Sequence, residues 1–562
     1  MISEKNKIFS VMALAFLLRV IGIGFGLPDI YHQDEPIIVN HAMAIGVGGW
    51  NTHFFVVPPF TIYFLFLLYG TFFSIGKVFG IFNTAKDFGL LFMHDPSFFY
   101  IWGRFFIGVI FGVLTVWAVW FLAKRFFSEK SALWAAFLLA IMPFHVQHSH
   151  YIYADIPLTL AVVGMLFMLL LIVEKPSALN YVSFGAFTGW AISIKYTALY
   201  FVPVLLLAHF LSKKNGSLKW NSLVLLLGSG IASLFVFALF APFTFIDFKE
   251  CLNQLTSQTG AEGSLGLWHH LGYSIIGGTG ILFIAFCFTG AALILRRSAT
   301  KARLVITFII IYYAVNVYFT QSFARYMLPL TPVLAILAGI AIEGLWTQKG
   351  VTFFVKYVLV SALSIELIAP TLYADLLYAR KDTRTQCAEW FDKEAHPGSV
   401  VVVDNRFFGP HLLQSEEQIR QKFGLLDASE KNGARKARLD LMLQSIQGQK
   451  TYNVYQLAGM DQRSSKFLFL QPYADLSVEG LKKIGAKYLV INYADSGAET
   501  KEFVQKLLPK FELVQSFSPY RDAQKKYTVD PYDLTAAPHL PMEIFSRKSL
   551  GPYLEVYRIK NI

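Results

Sequence analysis

Cysteine and charge are both scarce in this chain, and each shortage excludes a class of protein. Among 562 residues there are three cysteines, Cys251, Cys287 and Cys387. Their spacing fits neither a zinc motif nor a disulfide framework, although Cys251 and Cys387 could pair if the fold brought them together. Charged residues make up only 15% of the chain, whereas hydrophobic residues make up 55%. This composition excludes an ordinary soluble protein and indicates a polytopic membrane protein.

The basic residues exceed the acidic ones, which gives a formal net charge of +12. In a soluble protein this excess would suggest nucleic-acid binding. Here the basic residues form short clusters between apolar runs, at positions 124–125, 213–214, 296–303 and 349. Such clusters are typical of the cytoplasmic loops of membrane proteins. No nucleic-acid partner is therefore expected.

The first apolar run, residues 8–27, is long enough to cross a bilayer and follows two lysines. No small-residue cleavage pattern comes after it, so we interpret it as an uncleaved span with a cytoplasmic amino terminus. The basic loops then all face the cytoplasm only if one run before residue 100 does not cross. Because Pro58 and Pro59 open the run at 58–80, we predict that this run lies along or dips into the outer leaflet.

The sequence therefore predicts a polytopic α-helical domain over residues 1–372, with about eleven transmembrane helices and interfacial helices in the first outer loop. After residue 373 the apolar runs shorten to strand length, which predicts an extracytoplasmic α/β domain over residues 373–562. The predicted strands lie at 400–404 and 488–492, and the predicted helices at 385–395, 434–446 and 501–508. This domain lacks a glycine-rich phosphate loop, a nucleophile elbow and metal-ligand spacing, and its role could be acceptor docking, partner binding or support.

Two adjacent carboxylates, Asp34 and Glu35, follow the first span at the membrane surface. They could cap the next helix, in which Pro36 takes a favoured first-turn position. Ionisable groups at the membrane boundary are nevertheless costly unless they are solvated, paired or used, so a functional site is the competing interpretation. The predicted topology also places the 148–155 segment, Lys195 and Arg325 at the outer face. Charged ends of independent spans on one face predict a shared cavity.

Several short segments at these positions together resemble the bacterial members of one enzyme superfamily. They are His32-Gln33-Asp34-Glu35-Pro36, Asn51-Thr52-His53-Phe54-Phe55, Gly103-Arg104, Ser149-His150-Tyr151 with Asp155, Ile194-Lys195-Tyr196 and Phe323-Ala324-Arg325-Tyr326-Met327-Leu328-Pro329. The chain resembles the protein O-mannosyltransferase superfamily, and specifically the family 39-type glycosyltransferases of the membrane-embedded GT-C fold that are related to the lipid A aminoarabinose transferases. The resemblance extends over about residues 8–346.

The resemblance implies transfer of a monosaccharide from a polyprenyl-phosphate donor to a protein, lipid or cell-envelope glycan. The reaction would take place at the outer face of the bacterial cytoplasmic (inner) membrane. In that superfamily the first-loop Asp, matched here by Asp34, is the presumed base, and the acid matched by Asp155 assists. Relatives often carry His or Lys directly before the Pro-Pro pair, where this chain has Val57. His53 is the nearest candidate substitute.

The chemistry of an inverting transfer assigns further roles. A carboxylate must take a proton from the acceptor as it attacks the anomeric carbon, and we assign this role to Asp34. Glu35 would orient Asp34 or bind the sugar, and Asp155 would hold the acceptor or tune Asp34. Cations must stabilise the departing phosphate. The candidate donor-binding residues are Lys195, Arg325, Arg104, Tyr326, His148, His150 and His53.

Three alternatives stay open on the sequence. No cofactor is required, but His148, His150 and Asp155 could together hold a divalent metal ion. A transporter or flippase would place acids near the membrane midplane and show an inverted repeat, and the sequence displays neither. A non-catalytic assembly factor would use the outer domain as its working part.

Overall fold

The computed structural model describes residues 4–212, 220–257, 267–318, 323–404, 408–424, 426, 433–457, 473–474, 477–494, 511–522, 524–526 and 544–559. Most of these residues are helical, and one six-stranded sheet lies in the carboxyl-terminal part. The α-helices are Glu4–Val20, Glu35–Gly48, Phe60–Val78, Ala85–His94, Ser97–Gly103, Phe111–Phe126, Glu129–Ile141, Pro143–His148, Asp155–Glu174, Ala178–Ile194, Val202–Leu211, Trp220–Phe240, Pro242–Ile246, Phe248–Ser257, Leu267–His269, Gly277–Thr279, Ile281–Arg297, Ala299–Tyr318, Thr331–Thr347, Phe353–Tyr378, Thr383–Glu394, Glu416–Gly424, Gly433–Ser445 and Val478–Lys483. Short π segments span Arg104–Ile110 and His270–Ile276, and 3₁₀ segments span Tyr196–Phe201 and Ala324–Leu330.

Seven helical segments among the described residues are long and apolar enough to cross a bilayer. They are Phe60–Val78, Ser97–Phe126, Asp155–Glu174, Leu223–Phe240, Ala299–Tyr318, Ala324–Thr347 and Phe353–Glu394. An eighth results if the pair His270–Thr279 and Ile281–Arg297, bent by 101°, forms one span. The chain is therefore a multi-pass membrane protein.

The number of long apolar helices is smaller than the predicted number of spans because several apolar runs form short helices. Glu4–Val20 and Ala178–Ile194 have 17 residues each, and Glu129–Ile141 has 13. The prediction that residues 58–80 lie along the outer leaflet also loses support. Phe60–Val78 has 19 residues and a mean hydropathy of 1.5, so its length and composition do not distinguish it from the spanning helices.

The helix Leu223–Phe240 has one exposed apolar face and an opposite face that packs against a neighbouring helix. Leu227, Ile231 and Leu234 recur at helical spacing and are each at least 60% exposed, which is the pattern of a lipid-facing stripe. The opposite face packs against Ala178–Ile194. There Gly185 lies so close that a Cβ atom would come within 2.1 Å of the Ser229 carbonyl oxygen. Small residues allow such close contact between membrane helices.

Replacement of Gly185 by alanine is expected to destabilise the bundle by about 1–3 kcal/mol, because the added methyl group overlaps a backbone carbonyl that cannot move alone. Thermal unfolding of the purified protein in detergent measures the effect. Gly228→Ala is the matched control, since Gly228 lies in the neighbouring helix with no atom within 4 Å of a Cβ built there. Equal melting temperatures for the two variants would contradict the packing.

The carboxyl-terminal domain is built on a sheet with strands β1 Val400–Val403, β2 Asn453–Leu457, β3 Tyr473–Ala474, β4 Tyr488–Asn492, β5 Glu512–Phe517 and β6 Leu554–Arg558. The strand order is β3-β2-β1-β4-β6-β5. Strands β1 to β4 are parallel to one another, and β6 is antiparallel to both of its neighbours, β4 and β5. In β1, Val401 pairs with Val454 of β2 and with Tyr488 of β4. A continuous apolar strand such as β1 is typical of a parallel strand covered on both faces.

Alternate residues of these strands enter two cores. Val401 and Val403 of β1 pack with Phe391 of the helix Thr383–Glu394, whereas Val402 packs with Leu489 and other residues on the opposite face. The predicted elements at 385–395, 400–404, 434–446 and 488–492 are confirmed within two residues at each end. The predicted helix at 501–508 lies outside the described residues. All three cysteines are buried and free, so no disulfide joins Cys251 to Cys387.

Candidate active site

Four charged side chains from four separate segments form a line. The Asp34 carboxylate lies 3.1 Å from Arg325 Nη2, and Arg325 Nε lies 3.9 Å from Asp155 Oδ2. The other oxygen of Asp155 accepts a 2.7 Å hydrogen bond from Lys195 Nζ. The structure thus brings together the carboxylates and cations that the sequence placed on one face. We call these four residues the charge line.

Helix ends position the charge line. Asp155 is the first residue of Asp155–Glu174, and Lys195 directly follows Ala178–Ile194. Asp34 occupies the N-cap position of Glu35–Gly48, but its side chain makes no capping hydrogen bond. The alternative that Asp34 is a helix cap is therefore wrong, and its carboxylate is available for other contacts.

Aromatic rings enclose the two cations. The Arg325 guanidinium lies 4.0 Å from the Phe323 ring and 4.8 Å from the Tyr153 ring, and Lys195 Nζ lies 4.2 Å from the Tyr326 ring. Arg325 is only 6% exposed. Yet Arg325 Nε and Asp155 Oδ2, which face each other, make no hydrogen bond to any described residue. Buried polar atoms are normally paired, so these two atoms have hydrogen-bonding capacity that the described residues leave unused.

A cavity of about 170 Å³ opens beside Asp34. Its lining comprises Tyr31, His32, Gln33, Asp34, Phe323, Arg325 and Phe408. Burial lowers the pKa of His32, so this imidazole is neutral near pH 7, and its Nδ1 accepts a 3.3 Å hydrogen bond from the Asp34 amide. Asp34 and Arg325 are thus the members of the charge line that line the cavity, and Asp155 and Lys195 are not among its lining residues.

Glu35 and Arg104 form a separate buried pair. Arg104 Nε and Nη2 donate to the two Glu35 oxygens at 2.9 and 2.8 Å, and neither side chain is exposed. Glu35 also accepts from the Ile152 amide, and Arg104 Nη1 donates to the carbonyls of Ile23 and Phe25. The predictions that Glu35 orients the base or binds the sugar, and that Arg104 binds the donor phosphate, are therefore not supported. The pair fixes the segments around the site.

Two of the three predicted histidines make contacts away from the charge line. Both ring nitrogens of His150 contact backbone carbonyls, of Val146 at 3.0 Å and Ile21 at 2.8 Å, so this ring is not directed at the charge line. His53 Nδ1 lies 3.5 Å from Asp247, and the described contacts do not connect it with Asp34. His148 is buried, its ring packs against Phe144 and Tyr151, and the charges of Arg325 and Lys195 act on it, so its donor-binding role stays a prediction.

The possible metal triad of His148, His150 and Asp155 is not assembled. Among the described residues, no group of three or more His, Cys, Asp or Glu side chains is arranged to hold a metal ion. Two positions explain this, since the His150 nitrogens face carbonyls and Asp155 is occupied by Lys195.

Comparison with known proteins gives one partial sequence match and a full-length structural likeness. Residues 97–244 match the family model described as dolichyl-phosphate-mannose-protein mannosyltransferase. A search of curated protein sequences returns no match. The crystal structure of apo ArnT from Cupriavidus metallidurans superposes with a TM-score of 0.50 at 15% identity, covering 91% of this chain and 96% of ArnT. The chain has the GT-C membrane glycosyltransferase fold.

Two further GT-C structures match less closely. ArnT from the same organism bound to undecaprenyl phosphate gives a TM-score of 0.46 at 15% identity, covering 91% of this chain and 97% of that one. The apo oligosaccharyltransferase of Archaeoglobus fulgidus gives 0.44 at 14% identity, covering 87% and 69%. The likeness to apo ArnT confirms, at the level of the GT-C fold, the resemblance identified in the sequence.

Tyr326 was predicted from the sequence, but two other aromatic residues at this site, Tyr153 and Phe408, were not. Tyr153 lies between the two cations, and its place two residues before Asp155 was the only available signal. Phe408 lines the cavity although it belongs to the carboxyl-terminal domain, in which no functional motif was recognised.

Proposed function

We propose that this protein is a membrane glycosyltransferase that moves a monosaccharide from a polyprenyl-phosphate donor to an acceptor. The charge line is the observation that carries the proposal. It joins a carboxylate that faces the cavity to two cations enclosed by aromatic rings, which are the parts that glycosyl transfer from a phosphate requires.

The two cations act on the leaving group. A sugar phosphodiester carries one negative charge, and the departing polyprenyl phosphate monoester gains a second as the glycosidic bond breaks. Arg325 and Lys195 therefore interact more strongly with the transition state than with the bound donor, and such differential binding accelerates the reaction. In the absence of donor, Asp34 and Asp155 pair with these cations and keep the buried charges compensated.

Asp34 acts as the base. Its carboxylate takes the proton from the acceptor hydroxyl or amine while the acceptor atom forms the bond to the anomeric carbon. The bond between that carbon and the phosphate oxygen breaks at the same time, so the configuration inverts. The leaving group needs no proton, because a phosphate is stable as an anion. Asp155 holds Lys195 and faces Arg325, which makes it a positioning residue.

The donor class and location extend the proposal. The partial family match is named for a dolichyl-phosphate sugar, and ArnT has been solved with undecaprenyl phosphate, so a polyprenyl-phosphate sugar is the proposed donor. The acceptor is a protein, lipid or envelope glycan at the outer face of the bacterial cytoplasmic membrane. The amino terminus is cytoplasmic and the carboxyl-terminal domain extracytoplasmic. No metal ion is needed, because Lys195 and Arg325 neutralise the phosphate.

Lys195→Met is expected to lower kcat/KM for the donor by about 10²-fold, because a preorganised cation at the developing phosphate charge is lost. Steady-state transfer of label from a polyprenyl-phosphate sugar measures this. The control is Lys124→Met, since Lys124 is an exposed lysine that pairs with Glu129 away from the site. The assignment fails if both variants retain wild-type kcat/KM.

A further inference from the structure

The first residues of the carboxyl-terminal domain form a rigid unit around Arg384. Asp382 caps the helix Thr383–Glu394 by accepting from the Arg384 amide at 2.9 Å. The same carboxylate accepts from Arg384 Nε at 2.9 Å and from Nη2 at 2.8 Å, and both side chains are buried. Because the charge of Arg384 is compensated within its own segment, its guanidinium face is held in one orientation.

The Arg384 guanidinium packs against the loop that contains Asp34, the proposed base. Its central carbon is 3.9 Å from the Tyr31 ring centroid, and the hydroxyl of Tyr31 contacts Thr385 Oγ1 at 2.8 Å. The Tyr31 hydroxyl also donates to Asp29 at 2.9 Å, and burial raises the pKa of that carboxyl to about 6. The His411 ring centroid lies 5.0 Å from the Tyr31 ring centroid. Arg384, Thr385 and His411 of the carboxyl-terminal domain thus surround the side chain of Tyr31, which belongs to the helical domain.

The held residue is only three positions before Asp34. His32, which accepts the hydrogen bond from the Asp34 amide, lies between them and packs against Tyr151 at 4.2 Å. Phe408 from the carboxyl-terminal domain lines the same cavity as Tyr31 and Asp34. A base works only when it lies within hydrogen-bond reach of the proton it takes, so displacement of this loop by about 1 Å would slow transfer strongly.

We infer that the carboxyl-terminal domain positions the catalytic loop, with Arg384 and Tyr31 as positioning residues that keep Asp34 in place against Arg325. The inference rests on the proposed function. The domain also docks elsewhere, since Leu441 packs on Gly89 and Leu550 belongs to one buried apolar cluster with Phe25. Removal of the Arg384 contact therefore leaves the two domains attached.

Arg384→Lys is the decisive variant, because lysine keeps the charge but loses the planar group that stacks on Tyr31 and pairs with both Asp382 oxygens. We expect kcat to fall at least about tenfold while KM for the donor changes less than about twofold, since the loss affects the base and not the cations. Amide hydrogen exchange across residues 29–34 of the full-length protein is expected to become about tenfold faster.

Two further variants separate positioning from general destabilisation. Arg380→Lys changes an exposed arginine of the same segment that bonds the Lys548 carbonyl, and it should leave kcat and exchange at wild-type values. Tyr31→Phe keeps the ring under Arg384 and loses only the hydroxyl contacts, so it should retain more activity than Tyr31→Ala. Wild-type exchange and kcat in Arg384→Lys would overturn the inference. If the wild type transfers no sugar, the proposed function fails, while the exchange measurement still decides whether Arg384 holds the loop.

Discussion

Asp34→Asn is expected to lower kcat for transfer by about 10²–10⁴-fold, the usual contribution of a positioned general base. The substitution keeps the shape of the side chain and its position at the start of Glu35–Gly48, but an amide cannot take the acceptor proton. Asp34 makes no capping bond, and Asp155 still faces Arg325 as a counter-charge after the substitution, so the melting temperature should fall less than in Arg104→Met. Steady-state kinetics with saturating donor and acceptor measure the loss.

Asp247→Asn is the matched control for Asp34→Asn. Asp247 is a carboxylate that pairs with His53 and Asn51 and has no described contact with the charge line. It should retain wild-type kcat. Near-normal turnover in Asp34→Asn would remove the assigned base, and an equal loss in both variants would show that the effect is not specific to the site.

Arg104→Met is expected to reduce the free energy of unfolding by about 3–5 kcal/mol, the largest stability effect that we predict. The substitution leaves the Glu35 carboxylate in the interior with its charge no longer compensated, and it frees the carbonyls of Ile23 and Phe25. The measurement is thermal or denaturant unfolding in one detergent, with tryptophan fluorescence as the signal.

Arg125→Met provides the comparison on an exposed ion pair. Arg125 lies 2.9 Å from Glu174, but its side chain is 49% exposed, so its removal should cost less than about 1 kcal/mol. The double variant Arg104→Met with Glu35→Gln should be more stable than Arg104→Met alone, because the buried charge is then removed. If Arg104→Met and Arg125→Met have equal stability, the pair does not fix the site as described.

The charged members of the site could be predicted because each ends an independent apolar segment. Span ends alternate between membrane faces, so Asp34, Asp155, Lys195 and Arg325 had to lie on the same side if the topology was right. Glu35 was predicted to act at the site because it is adjacent to Asp34 in the sequence, and the structure does not support that role. Consecutive residues at a helix start point about 100° apart, so Asp34 faces the cavity while Glu35 faces Arg104 in the interior.

Contacts between residues that are far apart in the chain could not be predicted from the sequence. The strands at 400–404 and 488–492 and the helices at 385–395 and 434–446 were predictable, since continuous apolar strands and helical periodicity are local signals. The contact between Arg384 and Tyr31 joins residues 353 positions apart. Nothing in the local sequence around Arg384 distinguishes it from a surface arginine at a helix start, so its role follows only from the docking of the two domains.

The most direct test of the account is sugar transfer by the purified protein in liposomes, supplied with radiolabelled polyprenyl-phosphate sugars and a membrane extract as the source of acceptor. If Asp34 is the base of a glycosyltransferase, label moves from one donor to the extract with wild-type protein and with Lys124→Met. With Asp34→Asn the label stays on the lipid. Label that stays on every donor, together with no stabilisation of the wild type by polyprenyl phosphate, would contradict the proposed transferase.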